Sequence, residues 1–409
     1  MRFRLAWAQA VLAAACSAQS GAWSYRGFID NSLVYYPRTT ANDQVQFVDE
    51  TLLRAEGKLQ LPGGFGLSVG LDARSDSDNQ VIRAGRFFWD DRTAQRPPFA
   101  MRTMSIHYTR GPFRIEAGKQ LLHWGQMDFS SPTDKLAPRD YLNPTGADSL
   151  GAFAVRAIAD TGPRSLELLY LPHFTPSRIP LDRRWLILPP EFDGYSHHSQ
   201  GVQYPGGGQF GARYHQIVSP YEFSLCYFEG FKTLPTFLYD KDPINLNLNY
   251  QTLYPKMRMV GADFAAPWRG LLWKVESAYI DAASPHLAST WTYAVQAEKT
   301  GDKWQWAVEF AVDQLTQAKR PNTLDLDRAT RDAVSGHVFW TPNPRQTVSA
   351  EWFVHPNGDA FVARVLYSRN LYSTLRASAG FLWIGGSQSD ALARYNVDSY
   401  ALLELRYSF

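Results

Sequence analysis

Cysteine is almost absent. Cys16 and Cys226 are the two in 409 residues, which excludes the disulfide framework of a small secreted fold. Also missing is any run of the roughly 20 apolar residues that a membrane-spanning helix needs. Charge of one sign is lacking too: 41 Lys and Arg face 39 Asp and Glu, a net of +2, so nothing electrostatic points to a nucleic-acid partner. His123, His197, His198 and His215 show no ligand spacing beyond the adjacent pair and have no cysteine beside them, so no metal pattern is present. The Gly206 to Gly208 run lacks the Lys-Ser/Thr of a phosphate-binding loop. No cofactor is implied, and stability must come from the fold itself.

What the chain does have is aromatic side chains, 14% of residues, and a period of two. Leu53, Ala55, Gly57, Leu59 and Leu61 interleave with Arg54, Glu56, Lys58 and Gln60, which reads as a strand with one apolar and one charged face. Phe65, Leu67, Val69 and Leu71 repeat the pattern after the turn Pro62-Gly63-Gly64, making a hairpin. It recurs around Met104, Phe113, Phe153, Phe210, Trp304 and Phe361. The connections take turns in length. Short ones lie near 62–64, 111–112, 161–163, 219–220, 267–270, 301–303, 342–344 and 369–370, and mostly longer, Pro- and Asp-rich ones lie between them.

Short turns on one end and long loops on the other are the layout of a transmembrane barrel. The fold class expected is therefore all-β, an antiparallel up-and-down β-barrel of about 18 strands, with about 16 if one pair is misread. A soluble sandwich would hide its apolar face in a core and would have no need of alternating loop lengths.

The two ends of the chain add to this. Leu403, Leu405, Tyr407 and Phe409 share one face of a last strand, with Glu404, Arg406 and Ser408 on the other. This ending resembles the C-terminal assembly signal of bacterial outer-membrane β-barrels. Met1-Arg2-Phe3-Arg4, the apolar run Leu5 to Ala15 and the small residues up to Ala22 read as a secretory signal, cleaved after Ala18 or Ala22. Residues 1–22 are thus expected to be the leader and 23–409 a single barrel domain. Cys16 opens a second possibility, acylation as in a lipoprotein, although Leu12 stands four residues before it where such signals place a Leu at three.

With the apolar faces turned to lipid, the lumen carries Arg54, Lys58, Arg114, Glu116, Arg156, Arg213, Arg258, Arg364 and Arg376, joined among others by Arg74, Lys256, Glu276 and Glu309. This is a polar, mildly basic interior in which many charges can pair across strands. The sharpest motif is Ala117-Gly118-Lys119-Gln120-Leu121-Leu122-His123-Trp124-Gly125, followed by Ser131-Pro132-Thr133-Asp134 and Pro138-Arg139-Asp140-Tyr141. It resembles channel families related to alginate-export porins, in which a Gly-[Arg/Lys]-Gln and Trp-Gly strand precedes an Asn/Ser-Pro-x-Asp loop. The resemblance covers about 30 residues and implies a fold and a channel role but no substrate. Asp128, Asp134, Lys135, Arg139 and Asp140 are the candidates for a pore constriction, against the reading that the loop is a latch shaped by Pro and Asp. Their spacing does not match an EF-hand.

One further stretch, Gly194-Tyr195-Ser196-His197-His198-Ser199-Gln200-Gly201, contains a His-x-Ser that resembles outer-membrane phospholipases. Gln200 replaces their Asn, and no Asn follows about a dozen residues on to orient the imidazole, so no enzyme is expected. The reading is a monomeric channel in the outer membrane of a Gram-negative bacterium, passing small polar or anionic solutes or a polymer. Its partners are outer-membrane lipid, the barrel-assembly machinery and a small solute or polysaccharide. The alternative is a non-conducting barrel that anchors a surface polymer or a partner complex.

Overall fold

The computed structural model describes residues 22–40, 42–143, 146–181, 183–186, 188–318, 321–326, 332–357 and 359–409. The leader and Cys16 therefore lie outside the described residues, apart from Ala22. Eighteen strands form the wall: β1 Trp23–Tyr35, β2 Phe47–Gln60, β3 Phe65–Asp76, β4 Phe99–Arg110, β5 Phe113–Gln120, β6 Ala152–Asp160, β7 Arg164–Leu171, β8 Gln209–Val218 and β9 Tyr221–Phe231. The second half is β10 Lys256–Trp268, β11 Leu271–Ala282, β12 Ser289–Thr300, β13 Trp304–Gln317, β14 Ala333–Asn343, β15 Gln346–Val354, β16 Ala360–Asn370, β17 Leu375–Gly386 and β18 Tyr400–Ser408.

Each strand pairs antiparallel with the next, and β1 pairs with β18 from Phe28↔Ser408 to Tyr35↔Ala401, so the sheet closes and leaves no edge. Beyond the last paired residues, Gly27 and Phe409 exchange two backbone hydrogen bonds of 2.9 Å. A Cβ on Gly27 would stand 2.6 Å from the Phe409 ring, so the terminal aromatic occupies the space a side chain there would need.

The outer face shows what the alternation is for. Leu225 and Val260 are 55% and 60% exposed, while Glu276, Gln296 and Glu309 on inner faces are fully buried. Apolar groups outside and buried polar groups inside invert the soluble pattern and suit an apolar solvent. Aromatic pairs ring both ends. Tyr35–Phe47, Tyr170–Phe210 and Tyr279–Trp291 meet near the long loops. Phe65–Tyr108, Tyr221–Phe264 and Trp304–Trp340 meet near the short turns.

At the long-loop end, three loops build a small sheet of their own. Ser196–Gln203 runs parallel to Asn247–Leu253, which pairs with Thr236–Asp242, and that strand pairs with Thr323–Asp325. The 172–208 loop also ties the mouth together. The buried Arg184 donates to the carbonyls of Arg38 at 2.9 Å and Val45 at 3.0 Å, and lies 3.7 Å from Asp43 and 3.6 Å from Asp398. Burial pushes the Asp398 carboxyl up to about 8 in spite of Arg184 beside it.

Candidate functional site

A long departure from the wall on the inner side is the segment between β5 and β6, residues 121–151. Its entry is set by the end of β5. Gly118 has φ +130°, and a Cβ there would stand 2.2 Å from the Met104 carbonyl oxygen, so only glycine fits. The next residue, Lys119, is buried and fully satisfied: Nζ donates to Asp91 Oδ2 at 2.6 Å, to the Met101 carbonyl at 2.6 Å and to the Trp89 carbonyl at 3.1 Å. Trp124 then packs edge-on to Phe228. It belongs to an apolar cluster with Leu122, Leu136, Leu169, Leu171, Met257 and Met259, which fixes the segment to the inner face of β6 to β11.

From Gly125 onward the segment reaches the far wall. Gly125 has φ +87°, and a Cβ would lie 2.1 Å from Ser131 Oγ and 2.6 Å from Glu276 Oε1. Three wall side chains in adjacent strands then clasp it. Glu276 on β11 accepts the Gln126 N–H at 3.0 Å, the Ser131 hydroxyl at 2.5 Å and both the N–H and hydroxyl of Thr133 at 2.7 Å. Gln296 on β12 accepts the Asp128 N–H at 3.1 Å and donates to Asp128 Oδ2 at 3.0 Å. Glu309 on β13 accepts the N–H groups of Phe129 and Ser130 at 3.2 and 2.8 Å. The Gln126 side chain adds a bond of 2.6 Å to Asp263 Oδ1. A polar bar thus crosses the bore and is bolted at its far end by carboxylates and an amide.

The candidate constriction residues all lie on this bar or its return, in different surroundings. Asp128 faces Gln296 and stands 3.8 Å from Lys274. The Asp134 carboxylate is buried and ties the bar to itself, accepting from the Trp124 N–H at 3.2 Å, His123 Nδ1 at 2.8 Å and Arg139 Nη2 at 2.9 Å. That hydrogen bond to Asp134 raises the His123 pKa above its ordinary value. Lys135 is half-buried and makes no ion pair among the described residues. Asp140 is buried between Arg96 Nε at 2.9 Å and Arg178 Nη1 at 3.0 Å. Burial pushes its carboxyl up, but Arg96 and Arg178 outweigh that and hold it at about 2.

Of the expected lumen residues, Arg54 pairs with Asp72 at 2.8 Å, Arg114 with Glu116 at 2.8 Å, and Arg156 with Glu167 at 3.0 Å. Arg213 pairs with Asp263 at 3.3 Å and Arg364 with Glu351 at 3.7 Å. Lys58 shares the face of Arg54, and Arg376 stands opposite Arg406 at the short-turn end. Arg258 is a correction. It alternates with the buried Met257 and Met259 and so projects outward beside Val260, half exposed, 3.7 Å from Glu229. Lys256, on the same outer face, pairs with Glu229 at 2.5 Å. The His-x-Ser stretch lies on the exposed strand Ser196–Gln203, where Ser199 Oγ accepts the Gly201 N–H and His198 Nε2 meets Asn247 Oδ1 at 3.1 Å.

Sequence reasoning missed Gln296, Arg96, Arg178, Asp91, Asp148 and Arg102. All of them act through contacts between segments far apart in the chain, and Arg102 is in addition re-aimed by a bulge.

A closed 18-strand antiparallel ring with a segment folded into its bore decides the architecture. The fold is that of the porin barrels. A crystal structure of Acinetobacter baumannii OccAB4 overlays with a TM-score of 0.54 at 9% identity, covering 96% of this chain and 99% of that one. A mutant of the Rh. blastica porin gives 0.47 at 11% identity, covering 95% of this chain and 100% of that one. No family model and no curated protein matches the sequence. Within the porin barrel, the bar and its three bolts are features of this chain's own residues.

Proposed function

We propose that the chain is an outer-membrane channel through which small polar solutes, with a tilt toward anions, diffuse past the bar formed by residues 121–151. The observation that carries this reading is the clasp of Glu276, Gln296 and Glu309 on that bar. The apolar outer face and the two aromatic rings support a place in a membrane, the short turns on the periplasmic side and the long loops outside. The inner arginines on β2 to β6 supply the basic side of the passage, and Asp128 contributes to the acidic side. The likeness of the 117–144 motif to alginate-export-type channels supports the same role, and a polymer cargo would have to thread the same bar.

The test is single-channel recording of the purified protein in a planar bilayer under a salt gradient. Discrete steps with an anion-leaning reversal potential support the channel. Silence from a correctly folded barrel sinks it and favours the anchoring alternative.

A further inference from the structure

Three guanidinium groups from neighbouring strands converge on one carboxylate of the bar. Arg54 and Arg74 arrive by ordinary alternation on β2 and β3. Arg102 arrives by a β-bulge: Gly70 faces Thr103 but Leu71 faces Met101, so Arg102 is the extra residue of β4 and swings to the inner side. The carboxylate is Asp148. Its Oδ2 accepts a short hydrogen bond from Arg54 Nη2 and lies 3.5 Å from Arg74 Nη2, while its Oδ1 accepts from Arg102 Nη2 at 3.1 Å.

The three arginines are preset by the wall and yet short of counter-charge. Asp72 holds Arg54 and Arg74, Glu50 is shared by Arg74 and Arg96, and Glu56 is shared by Arg26 and, at 3.9 Å, Arg102. Three wall carboxylates thus serve five arginines, one of which, Arg96, also has Asp140. Asp148 makes up part of the difference, but it belongs to the inserted segment and not to the wall, and its side chain is 33% exposed against 10 to 12% for the three arginines. A cavity of mixed lining opens beside it, bordered by Arg74, Arg102 and Arg178, by the carboxylates Asp72, Asp91 and Asp140, and by the apolar Ala100 and Leu150. Burial pushes the Asp148 carboxyl up, but Arg54, Arg102 and Arg74 outweigh it and hold it below the usual range, so it is ionised.

Resting on the channel reading, we propose that Arg54, Arg74 and Arg102 form an oxyanion site of the bore for a solute carboxylate, and that Asp148 occupies it as an internal stand-in which the solute displaces. One oxygen of the guest would face Arg54 and Arg74 and the other Arg102, the forked geometry that guanidinium groups favour. Exchange of one carboxylate for another keeps the buried charge constant, whereas a neutral solute has nothing to offer three arginines.

The experiment is calorimetric titration of the detergent-purified full chain with sodium benzoate, a readout that does not depend on conduction. Asp148→Ala, or Asp148→Asn should the alanine variant fail to fold, is expected to bind benzoate at least about tenfold more tightly than the parent chain. Adding Arg102→Ala is expected to abolish the gain. Equal, weak binding by the parent and both Asp148 variants overturns the site even if channels conduct. Tight binding by the Asp148 variants in a protein that is silent in bilayers upholds the site and removes the channel reading instead.

Discussion

Glu276 receives the backbone N–H and the hydroxyl of Thr133 on a single oxygen, each at 2.7 Å. Thr133 belongs to the segment between β5 and β6 and Glu276 to β11, so this one carboxylate fixes where the bar meets the second half of the wall. Glu276→Ala would strip four donors of a buried partner and is expected to cost about 3 kcal/mol or more, with Glu276→Gln milder. Thermal unfolding and single-channel current noise read the two consequences. A variant with unchanged noise and conductance would mean that the bar does not border the passage.

Gly125→Ala should mimic that loss. Its φ of +87° alone disfavours a side chain by about 1–2 kcal/mol, and the new Cβ would collide with Ser131 and Glu276. Gly207→Ala is the control, because its φ is +102° but nothing stands within 4 Å of the added carbon. Equal unfolding midpoints for the two variants would refute the clasp as the cause.

Asp140→Asn would leave Arg96 and Arg178 facing each other with less counter-charge. Breaking a buried pair from one side costs on the order of 3–5 kcal/mol. A lowered midpoint for the shift between folded and heat-denatured forms in gel migration is expected, and an unchanged one would show that Asp91 and Glu50 suffice for the two arginines.

The pH dependence at the mouth has a definite sign. Native Asp398 keeps its proton up to about 8, whereas in the unfolded chain it releases it near 3.8. The native state therefore binds more protons between those values, and stability falls as pH rises through that window. Asp398→Asn removes this slope and is expected to be the more stable form at alkaline pH. Parallel stability curves for the two proteins would contradict the burial argument.

His123 has the same sign, in a window that begins higher. Its hydrogen bond to Asp134 raises its pKa above 6.5, so the protonated tie is complete below that value and is lost as pH rises through the raised one. His123→Asn should flatten any change in current noise across that window. A slope that survives the substitution would assign the titration elsewhere.

The wall was legible in the residues because a period of two and alternating loop lengths are local signals. Leu53 to Leu61 and Phe65 to Leu71 announce β2, β3 and their turn without any other part of the chain. The bar was legible as a motif but its anchorage was not, because Glu276 and Glu309 look like any inward charge until Thr133 and Ser130 are seen against them. Taking the charged face as the inner one misplaced Arg258, and alternation alone gives no hint of Arg102. Arg258 sits on a strand whose inner face is apolar, with Met257 and Met259 buried under the bar, so its charge marks the outside. Arg102 would fall on the outer face but for one extra residue in β4.

The seam between β1 and β18 has a consequence for how the molecule is made. Phe28 must wait for Ser408, almost the whole chain later, before its strand has a second neighbour. Until then β1 is a bare template, open to any strand in the vicinity, and the ring gains its closure only in one late, long-range event. The contact of Phe409 with Gly27 is where that event is completed, and a larger residue at this spot would meet both the Phe409 ring and the Arg54 carbonyl oxygen.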